Sequence, residues 1–250
     1  MRLKLIACEV LRREFEHLIA HSPNEVEPLF LEKGLHDLGS QPMRQRLQAA
    51  IDAVVPGFDA VLLGYGLCNN GTAGLVARDT TLVIPRAHDC ITLLMGSRER
   101  YDWYFAENPG TYFLSTGWIE HEGVSEDLRS QTIPARMGME CSLEDLIEKY
   151  GEEEGRYVWE ALSPTRNYRQ ITFIETGVEP DGTYEAAARD RAADHGWSFE
   201  KLRGDLSLFR RLLDGPWDDA DFLTVPPGCT VEPDYGGKIV RLASTETRYR

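Results

Sequence analysis

The chain has 250 residues, 42% hydrophobic and 27% charged, enough for one large α/β domain or a domain with a sizeable appendage. Its formal charge of −14 argues against partners that present phosphate, so neither nucleic acid nor an anionic membrane surface is expected. No apolar run nears the roughly 18 residues that span a bilayer.

At the N-terminus, Leu5-Ile6-Ala7-Cys8 imitates a lipoprotein processing site. Too few residues precede it for a signal, and Glu9, Arg12, Arg13 and Glu14 follow at once. The stretch reads instead as the first strand, Leu3 to Cys8, of a cytoplasmic protein. Glu9 to Ala20 follows as a helix, with Val10, Leu11, Phe15, Leu18 and Ile19 on one face. Val26 to Leu31 is a second strand, pushed to an edge by Pro28. Pro42 to Val54 is a helix whose apolar face is Met43, Leu47, Ile51 and Val54. Phe58 to Leu63 is a third strand and runs into the loop Gly64–Gly74. Thr81 to Ile84 is the fourth strand, Ile91 to Phe105 a helix with Asp89 as its N-cap, and Thr111 to Ser115 the fifth strand.

Strand and helix alternate in this order, which predicts an α/β fold: a doubly wound, mostly parallel sheet with helices on both faces. The remainder is looser. A seam or lid is expected over residues 120–138. An acidic helix from Ser142 to Ala161, a strand Ile171–Thr176, a helix Thr183–Gly196, a short helix within Asp205–Leu213 and a strand Phe222–Val225 follow. The last twenty or so residues are expected to fray. The chain is either a single α/β domain over residues 1–250 or two similar lobes, 1–120 and 140–230.

Five cysteines are present: Cys8, Cys68, Cys90, Cys141 and Cys229. An odd number spread over a large domain is not a disulfide framework, so reduced thiols are expected. Three of them, Cys8, Cys68 and Cys90, close the first, third and fourth strands. In a parallel sheet those ends share one edge, where ligands bind. Thiolates there, with His88 of the His88-Asp89-Cys90 sequence, form a candidate metal set of three thiolates or two thiolates and an imidazole. Zinc is favoured and a [4Fe–4S] cluster is the alternative. The competing reading is three inert buried thiols. No CxxC pair supports the site, so it depends on the fold bringing the ends together.

The loop Gly64-Tyr65-Gly66-Leu67-Cys68-Asn69-Asn70-Gly71-Thr72 is neither a dinucleotide fingerprint nor a Walker motif. Its candidates for binding a cofactor or polar substrate are Gly64, Gly66, Asn69, Asn70, Gly71 and Thr72, through backbone amides or polar side chains. Arg86 is a candidate for holding a carboxylate or phosphate, and Glu9 for acid/base work. Cys229 and, more weakly, Cys141 are candidates for a further ligand. Trp118, Glu120 and His121 lie past a strand end and would surround a site there.

The stretches LKLIACEVLRREF, LLGYGLCNNGTAGL, IPRAHDCITLLMGSRERY and PGTYFLSTGW together resemble the domain-of-unknown-function family numbered 1638. The matching residues are Cys8, Gly64, Gly66, Cys68, Asn70, Gly71, His88, Asp89 and Cys90. Members of that family are often encoded beside corrinoid-dependent methyltransferases. The resemblance therefore implies a role in one-carbon or methyl-group metabolism, with a small-molecule substrate and a corrinoid protein or methyltransferase as partner. Three functions are expected in turn: a zinc enzyme that activates a thiol or one-carbon substrate, an iron–sulfur protein, or a non-enzymatic accessory to a corrinoid methyltransferase.

Overall fold

The computed structural model of the chain describes residues 1–123, 128, 131–132, 142–162 and 167–243. Cys141 and most of the expected seam over residues 120–138 lie outside them. No helix among the described residues is long and apolar enough to cross a membrane.

The first sheet grows from β1 (Arg2–Cys8), which is buried from Leu5 to Cys8. It pairs in parallel with β2 (Glu25–Leu31) on one side and β3 (Ala60–Gly64) on the other. β4 (Thr81–Pro85) continues in parallel beside β3, and a late strand, β8 (Phe222–Val225), closes the edge antiparallel to β4. The order is β2-β1-β3-β4-β8. The sequence direction of the crossovers thus reverses at β1, where β2 leaves to one side and β3 to the other. In doubly wound sheets that reversal opens a crevice beyond the carboxyl ends of the strands. As expected, β2 with its Pro28 is the other edge strand.

Helices flank this sheet. A 3₁₀ turn (Glu9–Leu11) leads into α1 (Arg12–Ile19), whose Phe15 meets Phe209 edge to face at 4.9 Å. α2 (Ser40–Asp52) buries Met43, Leu47 and Ile51, one residue per turn, against the sheet. The expected helix from Ile91 to Phe105 is two helices, α3 (Cys90–Met95) and α4 (Arg98–Glu107). Gly96 between them takes a left-handed φ of 82°, and the Ser97 side chain caps the second helix.

β5 (Thr111–Leu114) does not join the first sheet. It heads a second, parallel one in the order β5-β6-β7, with β6 (Gln170–Glu175) in the middle and β7 (Ser198–Arg203) at the edge. Its small core is Leu114, Ile171 and Phe173 against Ala188 and Ala192 of α8 (Thr183–His195). Between β5 and β6 come α5 (Thr116–Glu120), α6 (Leu143–Tyr150) and α7 (Glu152–Leu162), the last two separated at Gly151. Ser142 and Asp145 form a reciprocal cap at the start of α6. The chain then returns to the first sheet through α9 (Ser207–Asp214). Within the stretch expected to fray, a hairpin forms, β9 (Val231–Asp234) and β10 (Ile239–Leu242), with Val231, Ile239 and Val240 buried; residues 244–250 lie outside the described residues.

Trp118 on α5 packs against both cores. α1 makes polar contacts to the second sheet as well. Arg13 pairs with Glu120, which also accepts from the Tyr184 hydroxyl at 2.7 Å. Glu14, only 1% exposed, accepts from the Thr176 hydroxyl at 3.0 Å with one oxygen, while the other has no hydrogen-bond partner among the described residues. Burial pushes the Glu14 carboxyl up to about 7, from 4.5. The folded chain therefore binds a proton there that the unfolded chain has released, and stability falls as pH rises from 4.5 through 7. The loss is about 3 kcal/mol at most. Urea unfolding of Glu14→Gln across this window will show a flatter stability profile than wild type by about that amount, and parallel profiles would refute the assignment.

Candidate functional site

Two glycines decide how the strand ends meet. A Cβ on Gly64 would lie 2.5 Å from the Ala7 Cβ and 2.6 Å from the Phe15 ring. A Cβ on Gly66 would lie 2.6 Å from the Asp89 nitrogen. With no side chain at either position, the β3 loop runs in backbone contact with the β4 loop. Leu67 N–H donates to the Ala87 carbonyl at 2.8 Å and Cys68 N–H to the His88 carbonyl at 2.9 Å. β-type pairing is thereby extended past both strands, and it carries Cys68 toward Cys90.

Each thiol is set by a local device. Cys8 closes β1 and precedes the 3₁₀ turn. Cys68, Asn69 and Asn70 all take positive φ, 43°, 56° and 61°, a left-handed turn made by three residues that carry a Cβ. Such residues cost roughly 1–2 kcal/mol each in this conformation. Cys90 opens α3, capped by Asp89 as expected, whose carboxylate accepts from Ile91 N–H at 3.0 Å and Thr92 N–H at 3.1 Å.

Cys8, Cys68 and Cys90 all line one cavity of about 550 Å³. One wall is the carboxyl edge of the first sheet. The facing wall comes from the start of β5, from Trp118 and from Tyr168 ahead of β6. The cavity therefore lies between the two sheets, and its mostly apolar lining includes seven aromatic side chains. Two buried donors stand against the thiols: the Tyr65 hydroxyl beside Cys8 and the Trp118 indole N–H beside Cys90. Neither makes a well-aligned hydrogen bond to a described protein atom. Burial pushes the Cys8 thiol up to about 11, and burial with the nearby Asp89 charge also pushes Cys68 and Cys90 well up. Without a cation the three groups are neutral thiols and poor nucleophiles.

Other residues singled out by the sequence fall in several places. Gly64 and Asn69 are on the cavity wall. Asn70 is exposed, Gly71 packs on Met43, and Thr72 is buried with an unpartnered hydroxyl. The His88 side chain is not on the cavity wall. It is half exposed, with Nε2 3.6 Å from Asp102 and its ring beside Tyr101. Glu9 turns to the Lys33 N–H, 2.8 Å away, and to His121 Nδ1 at 3.5 Å. Cys229 packs on the first core away from the cavity, its carbonyl accepting from Ala77 N–H. Arg86 is 5% exposed and faces the hairpin: it pairs with Asp219 at 2.6 Å and donates to the carbonyls of Asp219, Lys238 and Val240. Among the described residues, no group of three or more His, Cys, Asp or Glu side chains already stands as a metal-ligand set.

Lys33, Tyr65, Tyr101, Tyr112 and Tyr168 line the cavity without having been singled out as site residues. Lys33 lies just past the end of β2, where a lysine after an edge strand carries no signal of its own.

The model of the family described as "Protein of unknown function (DUF1638)" matches residues 30–213. The chain belongs to that family. No curated protein and no solved structure matches it. The DUF1638 match contains Cys68, Cys90, Lys33 and Trp118, whereas Cys8 and the C-terminal hairpin lie outside it.

Two outcomes test this site. In chelator-treated DUF1638 protein at pH 8, iodoacetamide will label Cys8 about a hundredfold more slowly than in the unfolded chain, and the rate will climb toward pH 11, as followed by peptide mass spectrometry. Equal rates would contradict the burial of this thiol. Arg86→Ala will lower unfolding free energy by about 2–4 kcal/mol, because it strands three carbonyls, while leaving ligand binding in the cavity unchanged.

Proposed function

We propose that Cys8, Cys68 and Cys90 are the ligands of a three-thiolate metal centre whose open position faces the aromatic cavity, and that the protein uses it on a small molecule. The observation that carries this is the pair of buried donors, Tyr65 O–H and Trp118 N–H, set against sulfurs and otherwise unsatisfied. Thiols are weak acceptors, whereas metal-bound thiolates accept such bonds well, and donors to sulfur tune zinc and iron–sulfur sites. Three soft ligands suit zinc or a [4Fe–4S] cluster, each with one position left for substrate. Bound there, a metal would keep an incoming thiol or one-carbon group ionised or polarised.

The chain's own residues do the rest. Tyr65 and Trp118 orient and stabilise sulfur charge. The aromatic walls exclude water, and the left-handed turn at Cys68 positions the one ligand that does not sit directly at the end of a strand or the start of a helix. Because the ligand set is not preassembled, metal binding would draw the three sulfurs together. A reducing compartment such as the cytoplasm would keep them available. The one-carbon role, and a corrinoid protein or methyltransferase as partner, come from the family resemblance.

Metal analysis of protein purified anaerobically without chelator tests the reading. One equivalent of zinc, or about four of iron with a brown colour, is expected. Cys68→Ser and Cys90→Ser will each lose most of it, while His88→Ala and Cys229→Ser will keep it. A metal-free wild type, or one whose content ignores Cys68 and Cys90, sinks the proposal. Loss of metal in His88→Ala would restore the imidazole to the ligand set.

A further inference from the structure

The cavity that holds the thiols presents one ammonium. Lys33 stands on its wall, with Nζ 4.5 Å from the centre of the Trp118 ring and 3.4 Å from the Trp118 carbonyl. The ammonium is half buried and forms no ion pair with any described carboxylate. The carboxylate that lines the cavity, Asp89, is already engaged. It accepts from two backbone N–H groups of α3 and from the Tyr101 hydroxyl at 3.2 Å. Glu122 and Asp37 act on Lys33 only from beyond contact distance and are paired with Arg191 and His36. A half-buried ammonium with no carboxylate in direct contact loses solvation that an incoming anion would offset.

Around Lys33 the walls are rings. Tyr101 stacks on Phe105 at 5.9 Å, and Tyr112 meets Tyr168 edge to face at 5.1 Å. Such surfaces favour a flat apolar body. They would also attract a quaternary ammonium, but Lys33 already occupies the Trp118 face and repels a second cation.

We propose that this cavity binds a small molecule with an aromatic or otherwise flat apolar body and one carboxylate, the carboxylate pairing with Lys33 and the body lying against the ring-lined walls. The inference rests on the functional reading above for the cavity as the substrate site, and is independent of which metal the thiols hold.

Isothermal titration with three matched probes tests it: 3-phenylpropanoate, its primary amide, and the corresponding trimethylammonium compound. They are measured on wild type as purified and on Lys33→Gln, Lys33→Arg and Cys68→Ser. The carboxylate is expected to bind at least tenfold more tightly than the amide, the size of effect a charge-assisted hydrogen bond gives. Lys33→Gln is expected to erase that preference, Lys33→Arg to retain part of it, and Cys68→Ser to retain it whole. The proposal is overturned if the amide or the cation binds as well as the carboxylate, if no probe binds, or if Lys33→Gln keeps the preference. It is overturned too if Cys68→Ser loses the preference, because the anion would then be held by the thiol centre. A metal-free wild type that still prefers the carboxylate through Lys33 would sink the metal reading alone and leave this one standing.

Discussion

The site depends on a close approach of backbones. β3 can lie where it does against β1 and Phe15 only because residue 64 has no side chain, and the β3 loop can lie on the β4 loop only because residue 66 has none. Those two contacts fix the carboxyl edge of the first sheet. They bring Cys8, Cys68 and Cys90 to a common wall although they come from three separate segments of the chain. The sheet order, reversing at β1, leaves room beyond that edge. The second sheet fills the opposite side of the opening and supplies its aromatic lining.

Two cores of unequal size hold this arrangement. The large one surrounds the first sheet. The small one, five fully buried residues of the second sheet and α8, is barely a core by itself. Trp118 belongs to the margin of both, and its indole N–H also touches the chemistry at Cys90. One side chain thus serves packing between the sheets and the polar environment of the thiols. The polar bridges from α1, Arg13 to Glu120 and Glu14 to Thr176, join the same two halves on the helix side. The Glu14 bridge is incomplete, since one oxygen has no donor among the described residues.

The first sheet was legible because most of its strands are short apolar runs, three of them (β3, β4 and β8) stopped by glycine or proline, and because parallel strands place their ends together. That rule located the three thiols and the Asp89 cap before any coordinates. It went less well where a pattern is local but the outcome is tertiary. Thr111 to Leu114 reads like any strand, and nothing in it says that it pairs with Gln170–Phe173 rather than with β4. β7, SFEKLR, is half exposed at an edge and too polar to stand out. The hairpin at the end hides its three buried apolar residues among polar ones. His88 and Arg86 flank the edge in sequence, but residues on a short connection point in different directions. His88 turns out to Asp102, and Arg86 turns to the hairpin, where it pins β10. Lys33 was missed because it is an ordinary lysine after an edge strand, and its importance comes only from what the fold puts across from it.

The turn at Cys68, Asn69 and Asn70 has a consequence for how the loop would evolve under selection for stability alone. All three residues sit at a backbone angle that glycine adopts without penalty. Glycine at 69 or 70 would relieve steric strain in the folded state, at some cost in chain entropy. A loop chosen only for robustness would carry glycine there, as it does at position 74, which also has positive φ. That side chains occupy this turn marks it as a place where folding stability and the positioning of a sulfur pull in opposite directions.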